Sequence, residues 1–241
     1  MSGKFYEKKN LREKLAESAY QGRGIVIGTS PAGDKAAIAY FIMGRSENSR
    51  NRVFKKEGDD IMIYPFDESK VEDPSLIIYA PLRTLGKHLI VTNGDQTDTV
   101  RDFVRDGKTF KEALETRCFE PDGPNWTPRI SGMLTLDRGG FSYEMSILKS
   151  IDEEGSDCAR YTYSYPSRPG LGHFLHTYEV NENPLPTFWG EPRRVEIPET
   201  PKELFDSIWE TLNEENKISL YVRYTDLKTG KYEDLLVNKY R

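Results

Sequence analysis

Arginine is the residue whose clustering first suggests chemistry. Arg45, Arg50 and Arg52 fall within eight residues, in GRSENSRNRVF (44–54), among Ser46, Asn48, Ser49 and Asn51. Guanidinium forks beside short amides and hydroxyls suit a phosphate or another oxyanion; a solvated polar loop has the same composition. Tyr79 stands in the apolar stretch SLIIYAPLR (75–83). A phenol there needs a hydrogen-bond partner, as a core tyrosine with one satisfied hydroxyl or as a proton donor in a site. VTNGDQTD (91–98) turns at Asn93-Gly94 and opens a helix near Thr97 or Asp98. Asp98 either caps that helix or joins Asn93 and the turn's free N–H groups in gripping a ligand. CFEPDGPNWTPRISG (118–132) carries Glu120 at its start and Arg129 at its end. A carboxylate held by such a loop can be desolvated and tuned for proton transfer; the alternative is an Arg–carboxylate surface pair of little energetic weight.

The elements that must hold these residues are mostly strands. GIVIGTS (24–30) and KAAIAYFIMG (35–44) predict a hairpin across Pro31–Asp34. Strands are predicted again over 59–66, 75–82, 87–94, 129–137, 141–150, 159–166, 172–180, 218–227 and 232–240. Between the 87–94 and 129–137 strands the apolar period lengthens to that of a helix over 97–107, and Thr109 and Glu112 form a capping box for a second helix. Thr200, Pro201 and Glu203 start another, whose buried face is Leu204, Phe205, Ile208, Trp209 and Leu212. Residues 181–201 hold too many prolines for regular structure. Leu11, Leu15 and Ala19 give residues 1–20 a narrow apolar stripe, expected to rest on the main domain; an arm contacting a second copy is the rival expectation. Hairpin-linked strands and helices grouped in blocks predict α+β architecture. Two mostly antiparallel sheets form one domain over 22–241, preceded by a helical extension over 1–21.

The chain has 241 residues and a formal net charge of −5, which argues against a nucleic-acid partner. No apolar run approaches the ~20 residues of a membrane span. The opening MSGKFYEKKNLREKLAES lacks the apolar core of a secretory signal, so a cytoplasmic location is expected. Cys118 and Cys158 are the only cysteines, too few for a disulfide framework or a structural zinc site. His88, His173 and His176 are the only histidines, and the last two, three apart on a strand, face opposite sides; no metal site is expected. The phosphate loop, the dinucleotide fingerprint, HExxH and the GxSxG elbow are all missing from the sequence.

Taken together, GRSENSRNR, VTNGDQTD and FEPDGPNWTPRI, in that order, resemble the archaeal-type IMP cyclohydrolases and their bacterial relatives. HTYEVNENPLPTFWGEPR is similar to the C-terminal part of the bacterial members, so the likeness runs over about residues 22–225. The loop before TPRI is one residue longer here, with Trp126 where the archaeal pattern has Asn. The resemblance implies an αββα sandwich of the N-terminal-nucleophile hydrolase type. It also implies an activity: closing 5-formamidoimidazole-4-carboxamide ribonucleotide to inosine monophosphate with loss of water. Its catalytic residues fall on Arg50, Tyr79 and Glu120, with Arg45, Asn93, Asp98 and Arg129 completing the substrate pocket. Ring closure is intramolecular and requires no enzyme nucleophile, metal or cofactor. The partners implied are a purine nucleotide substrate and product, with no nucleic acid and no membrane; a homo-oligomer stays open. Two rivals remain: an amidohydrolase with an N-terminal nucleophile on the same fold, and a purine-nucleotide-binding protein without catalysis.

Overall fold

Two strands whose interiors are apolar without alternation set the architecture, because such a strand must be covered on both faces. β1 (Arg23–Thr29) and β2 (Lys35–Met43) pair as an antiparallel hairpin. Ile25, Ile27, Ile38, Tyr40 and Ile42 face a second sheet, while Val26, Ala37, Ala39 and Phe41 face helices. The computed structural model describes residues 6–71 and 78–240.

The facing sheet is a continuous antiparallel meander of seven strands in sequence order. These are β3 (Val53–Glu57), β4 (Asp60–Tyr64), β5 (Leu82–Leu85), β6 (His88–Thr92), β7 (Arg129–Asp137), β8 (Gly140–Ser150) and β9 (Cys158–Pro166). The first hairpin joins β10 (Leu171–His176), β11 (Arg193–Glu196), β12 (Lys217–Asp226) and β13 (Tyr232–Asn238) in a six-stranded sheet of order β11-β10-β1-β2-β12-β13. Every strand pair in both sheets is antiparallel.

Five α-helices and one short 3₁₀ helix (Glu68–Lys70) complete the described elements: α1 (Leu11–Ala16), α2 (Glu47–Arg50), α3 (Gln96–Arg105), α4 (Phe110–Glu115) and α5 (Pro201–Trp209). Leu11 and Leu15 of α1 and Leu204 and Ile208 of α5 cover the outer face of the six-stranded sheet. Val100, Phe110, Ala113 and Leu114 of α3 and α4 cover the other sheet over Ile90 and Met133. The layers therefore run helix, sheet, sheet, helix, and the fold is α+β.

Four expectations need correction. The helix expected over 1–20 is confined to α1 among the described residues, because Gln21 Nε2 takes the carbonyls of Leu15 and Ser18 and turns the chain toward β1. The 75–82 strand lies partly in residues 72–77, outside the described residues; Ile78–Pro81 are irregular, and pairing begins at β5. Regular structure also occurs where none is predicted, in α2, β3 and β11, each of five residues or fewer. Finally, β10 stops at His176 instead of 180, since Thr177 Oγ1 donates to the Gln21 carbonyl and accepts from the Arg23 amide.

Antiparallel pairing collects particular strand ends at one end of the sandwich. The start of β1, the end of β2 and the end of β10 meet in one sheet, and the end of β6 meets the start of β7 in the other.

Candidate active site

A polar cleft of about 290 Å³ opens at that end, close to the roughly 300 Å³ at which small-molecule pockets begin. Arg23, Arg45 and Arg52 line it together with Glu120 and Asp122. Arg23 opens β1 and its Nη1 donates to the Met43 carbonyl at 3.0 Å. Arg45 follows β2; its Nη1 donates to Asn181 Oδ1 and the Glu182 carbonyl, both at 2.9 Å, and its guanidinium lies 5.0 Å above the Tyr20 ring. Ser46, Asn48 and Ser49 bring the short polar side chains of α2 to the rim, and Ser46 caps that turn by accepting from the Ser49 amide. Burial and the nearby Arg23 charge lower the proton affinity of Arg52. Burial acts the same way on Arg23, yet the phenols around it and Glu120 carry its net shift upward.

Glu120 is the carboxylate that these cations face. Burial holds its pKa above the ordinary glutamate value; Arg129, Arg23 and Arg52 oppose that rise and Asp122 adds to it. The loop carrying it is closed by the Glu120 amide donating to the Thr127 carbonyl at 2.9 Å. Trp126 adopts a positive φ of 42°, and its indole Nε1 donates to the Glu153 carbonyl at 2.8 Å. A Cβ on Gly123 or Gly155 would come within 2.9 Å of that indole, so both glycines make room for the anchor. Below it, Asp122 accepts from the amide and hydroxyl of Thr127, whose Oγ1 is 2.6 Å from Tyr178 Oη. Burial pushes the Tyr178 phenol well above its usual range.

Residues 20–231 match the sequence profile of the family described as IMP cyclohydrolase-like protein. The chain belongs to this family. An IMP cyclohydrolase of Methanococcus aeolicus is 28% identical over 164 residues, 66% of this chain and 74% of its own length. One from Methanothrix thermoacetophila is 31% identical over 120 residues, covering 48% of this chain and 58% of that protein. One from Methanococcus maripaludis is 33% identical over 129 residues, 52% and 62% of the two lengths. The chain thus spans somewhat more than half of the latter two relatives.

Of the residues expected from the family resemblance, the cleft brings together Arg45, Asn93 and Glu120. Asn93 holds its own turn: it donates to the Pro128 carbonyl at 2.9 Å and accepts from the Ile130 amide at 2.9 Å. Arg129 stands beside the lining, its Nη1 2.7 Å from both Asp95 Oδ1 and Gln96 Oε1, and its charge reaches Glu120. Gly94 lies directly under that guanidinium, where any Cβ would collide. Tyr79 is buried outside the lining, its phenol 3.4 Å from that of Tyr40 and near enough to act on Arg23 and Arg52. Arg50 is not in the lining; its Nε donates to the Gly44 carbonyl at 3.1 Å and its Nη2 to Asn216 Oδ1 at 3.3 Å. Asp98 is likewise directed elsewhere, accepting from Arg83 at 2.9 Å and Arg101 at 2.7 Å; it lies inside the first turn of α3, whose N-cap is Asp95. Arg23, Tyr20, Asp122, Thr127 and Tyr178 line the cleft without having been singled out in the sequence. One signal was available for Arg23: a charged residue opening an otherwise apolar strand, immediately after glycine.

Proposed function

We propose that this chain is an IMP cyclohydrolase, closing 5-formamidoimidazole-4-carboxamide ribonucleotide to inosine monophosphate. The observation that carries this reading is the gathering of Arg23, Arg45 and Arg52 with a half-buried carboxylate, Glu120, in one polar cleft of about 290 Å³. In the reaction the carboxamide nitrogen attacks the formyl carbon of the same molecule. One N–C bond forms, the formyl C–O bond breaks, and the protons of the two nitrogens leave with the oxygen as water. The enzyme's work is to hold the formamide folded over the amide and to move those protons.

In this reading Glu120, as carboxylate, accepts the proton from the attacking nitrogen. Its raised pKa matches it to that task better than a solvated glutamate would be. In the same reading the anion-anchoring role expected of Arg50 falls to Arg23, Arg45 and Arg52, because those three line the cleft and Arg50 does not. Tyr79 supports the arginine wall from outside the lining, through its contact with Tyr40 and its proximity to Arg23 and Arg52. The helix–sheet–sheet–helix order supports the N-terminal-nucleophile hydrolase type of fold. The rival chemistry of that fold needs a nucleophile at a freed N-terminus, and β1 opens on Gly22-Arg23 instead. Because the substrate is a free nucleotide, we place the activity in the cytoplasm.

The test is a spectroscopic assay of ring closure. Wild-type protein turns over, and Glu120→Gln lowers kcat by roughly 10²–10⁴-fold while binding inosine monophosphate nearly as well. Tight nucleotide binding without turnover in the wild type would move the reading to the non-catalytic binder, and a near-wild-type rate in Glu120→Gln would remove the carboxylate from the mechanism.

A further inference from the structure

Away from the cleft, β1 and β10 lead to a second concavity. His173 pairs with Ile27, four residues along β1 from Arg23, or roughly 13 Å at strand rise. Here the edge of the six-stranded sheet meets β9 of the other, and a pocket of about 500 Å³ forms. Among the described residues its lining includes three cations, Lys8, Arg168 and Arg194, and no carboxylate. That composition stands out in a chain of net charge −5. Arg194 Nε is buried and has no hydrogen-bond partner, and Lys8 Nζ reaches the Gly170 carbonyl only at 3.3 Å. The half-buried Arg194 guanidinium lines the pocket beside Arg168, and with the nearest acid that acts on the lining, Glu191, outside it, the two forks are placed to donate to an anion.

The same pocket offers a flat surface. The His173 and Tyr165 rings are stacked with centroids 3.6 Å apart and planes 13° apart, and both line the pocket. Tyr143 fixes the imidazole from behind, its hydroxyl 2.6 Å from Nδ1. A ring platform beside unpaired guanidinium groups matches a ligand that joins an aromatic base to a phosphate.

We propose that this pocket is a second binding site, for a nucleoside monophosphate, independent of the ring-closing cleft. Arg194 and Arg168 take the phosphate, and the half-buried Tyr165, backed by the buried His173, takes the base. The proposal uses none of the cleft residues and does not rest on the ring-closing reading.

Calorimetric titration of the full chain with AMP, ribose 5-phosphate and inorganic phosphate tests it. Wild-type protein binds two equivalents of AMP. Arg52→Gln, in the cleft, weakens one event and leaves the other. Arg194→Gln removes the remaining event, and the exposed Arg168→Gln weakens it by about 10-fold, with kcat for ring closure unchanged in both. AMP binds this site more tightly than ribose 5-phosphate, and ribose 5-phosphate more tightly than phosphate. A single AMP event that Arg168→Gln weakens and Arg52→Gln leaves intact supports the proposal, whereas a single event with the opposite pattern overturns it. So does a second event indifferent to Arg168→Gln, which serves if Arg194→Gln does not fold. Equal affinities for AMP and inorganic phosphate would reject a nucleotide as the occupant.

Discussion

Glu120 retains its proton to a higher pH than a solvated glutamate because burial outweighs the guanidinium groups that oppose it. If its carboxylate is the working form, kcat falls as pH drops through that raised pKa, so the acid limb lies above the ordinary glutamate range. The charge of Arg129 is the largest influence pulling that pKa down. Arg129→Gln therefore shifts the acid limb upward in a pH–kcat profile; a limb that stays in place would detach Glu120 from the rate. The cations divide differently. Arg23 and Arg52 line the cleft and Arg50 does not, so Arg23→Gln and Arg52→Gln each weaken inosine monophosphate binding by roughly 10–100-fold, whereas Arg50→Ala has a smaller effect. Direct titration decides the ranking, and a dominant Arg50 would contradict the proposed anion wall.

The loop 119–128 positions its carboxylate through one anchored side chain, and that anchor depends on glycines far and near in sequence. Trp126 occupies space that side chains at Gly123 and Gly155 would fill, and Gly155 also has a positive φ of 72°. Gly155→Ala is accordingly both strained and in collision with the indole. We expect it to shift the Glu120 loop and lower kcat by up to about 10²-fold, with a melting-temperature loss too small to account for the drop. An unaltered kcat would show that the indole does not position the carboxylate. Elements whose signals are local were legible in the sequence. Both capping boxes, Thr109 with Glu112 and Thr200 with Glu203, form as their spacing predicts, and β7 spans the predicted 129–137. The direction of a long side chain was not legible, because remote partners decide it. Asn216 fixes Arg50 from 166 positions away, and Arg83, 15 positions away, takes the Asp98 carboxylate. Glu120 was recoverable because its own loop aims it, and Arg52 was grouped with its neighbours without a way to rank it above Arg50.

At the scale of the whole molecule, two apolar strands covered on both faces commit the chain to four layers, and the same burial traps polar groups that water would otherwise serve. His176 Nδ1 donates to the Tyr178 carbonyl at 2.8 Å, and its ring packs on Phe174 and Phe188. Burial lowers its pKa to about 3, and burial with the Arg194 charge lowers that of His173 to about 4. Both imidazoles are therefore neutral in the folded protein at pH 5, while in the unfolded chain they accept protons near pH 6.5. The unfolded state binds more protons throughout this window, so stability present above pH 6.5 is lost as pH falls. Each buried histidine removes about 1.4 kcal/mol per pH unit once the unfolded form is protonated, a large fraction of the ~5–15 kcal/mol that holds a typical domain. His176→Gln keeps a donor for the Tyr178 carbonyl and cannot titrate. It should be less stable than wild type at pH 7, with a deficit that narrows by about 2 kcal/mol at pH 5. Urea unfolding at the two pH values measures the difference directly. A deficit of the same size at both would mean that His176 is protonated in the folded chain and that the layer around it admits water.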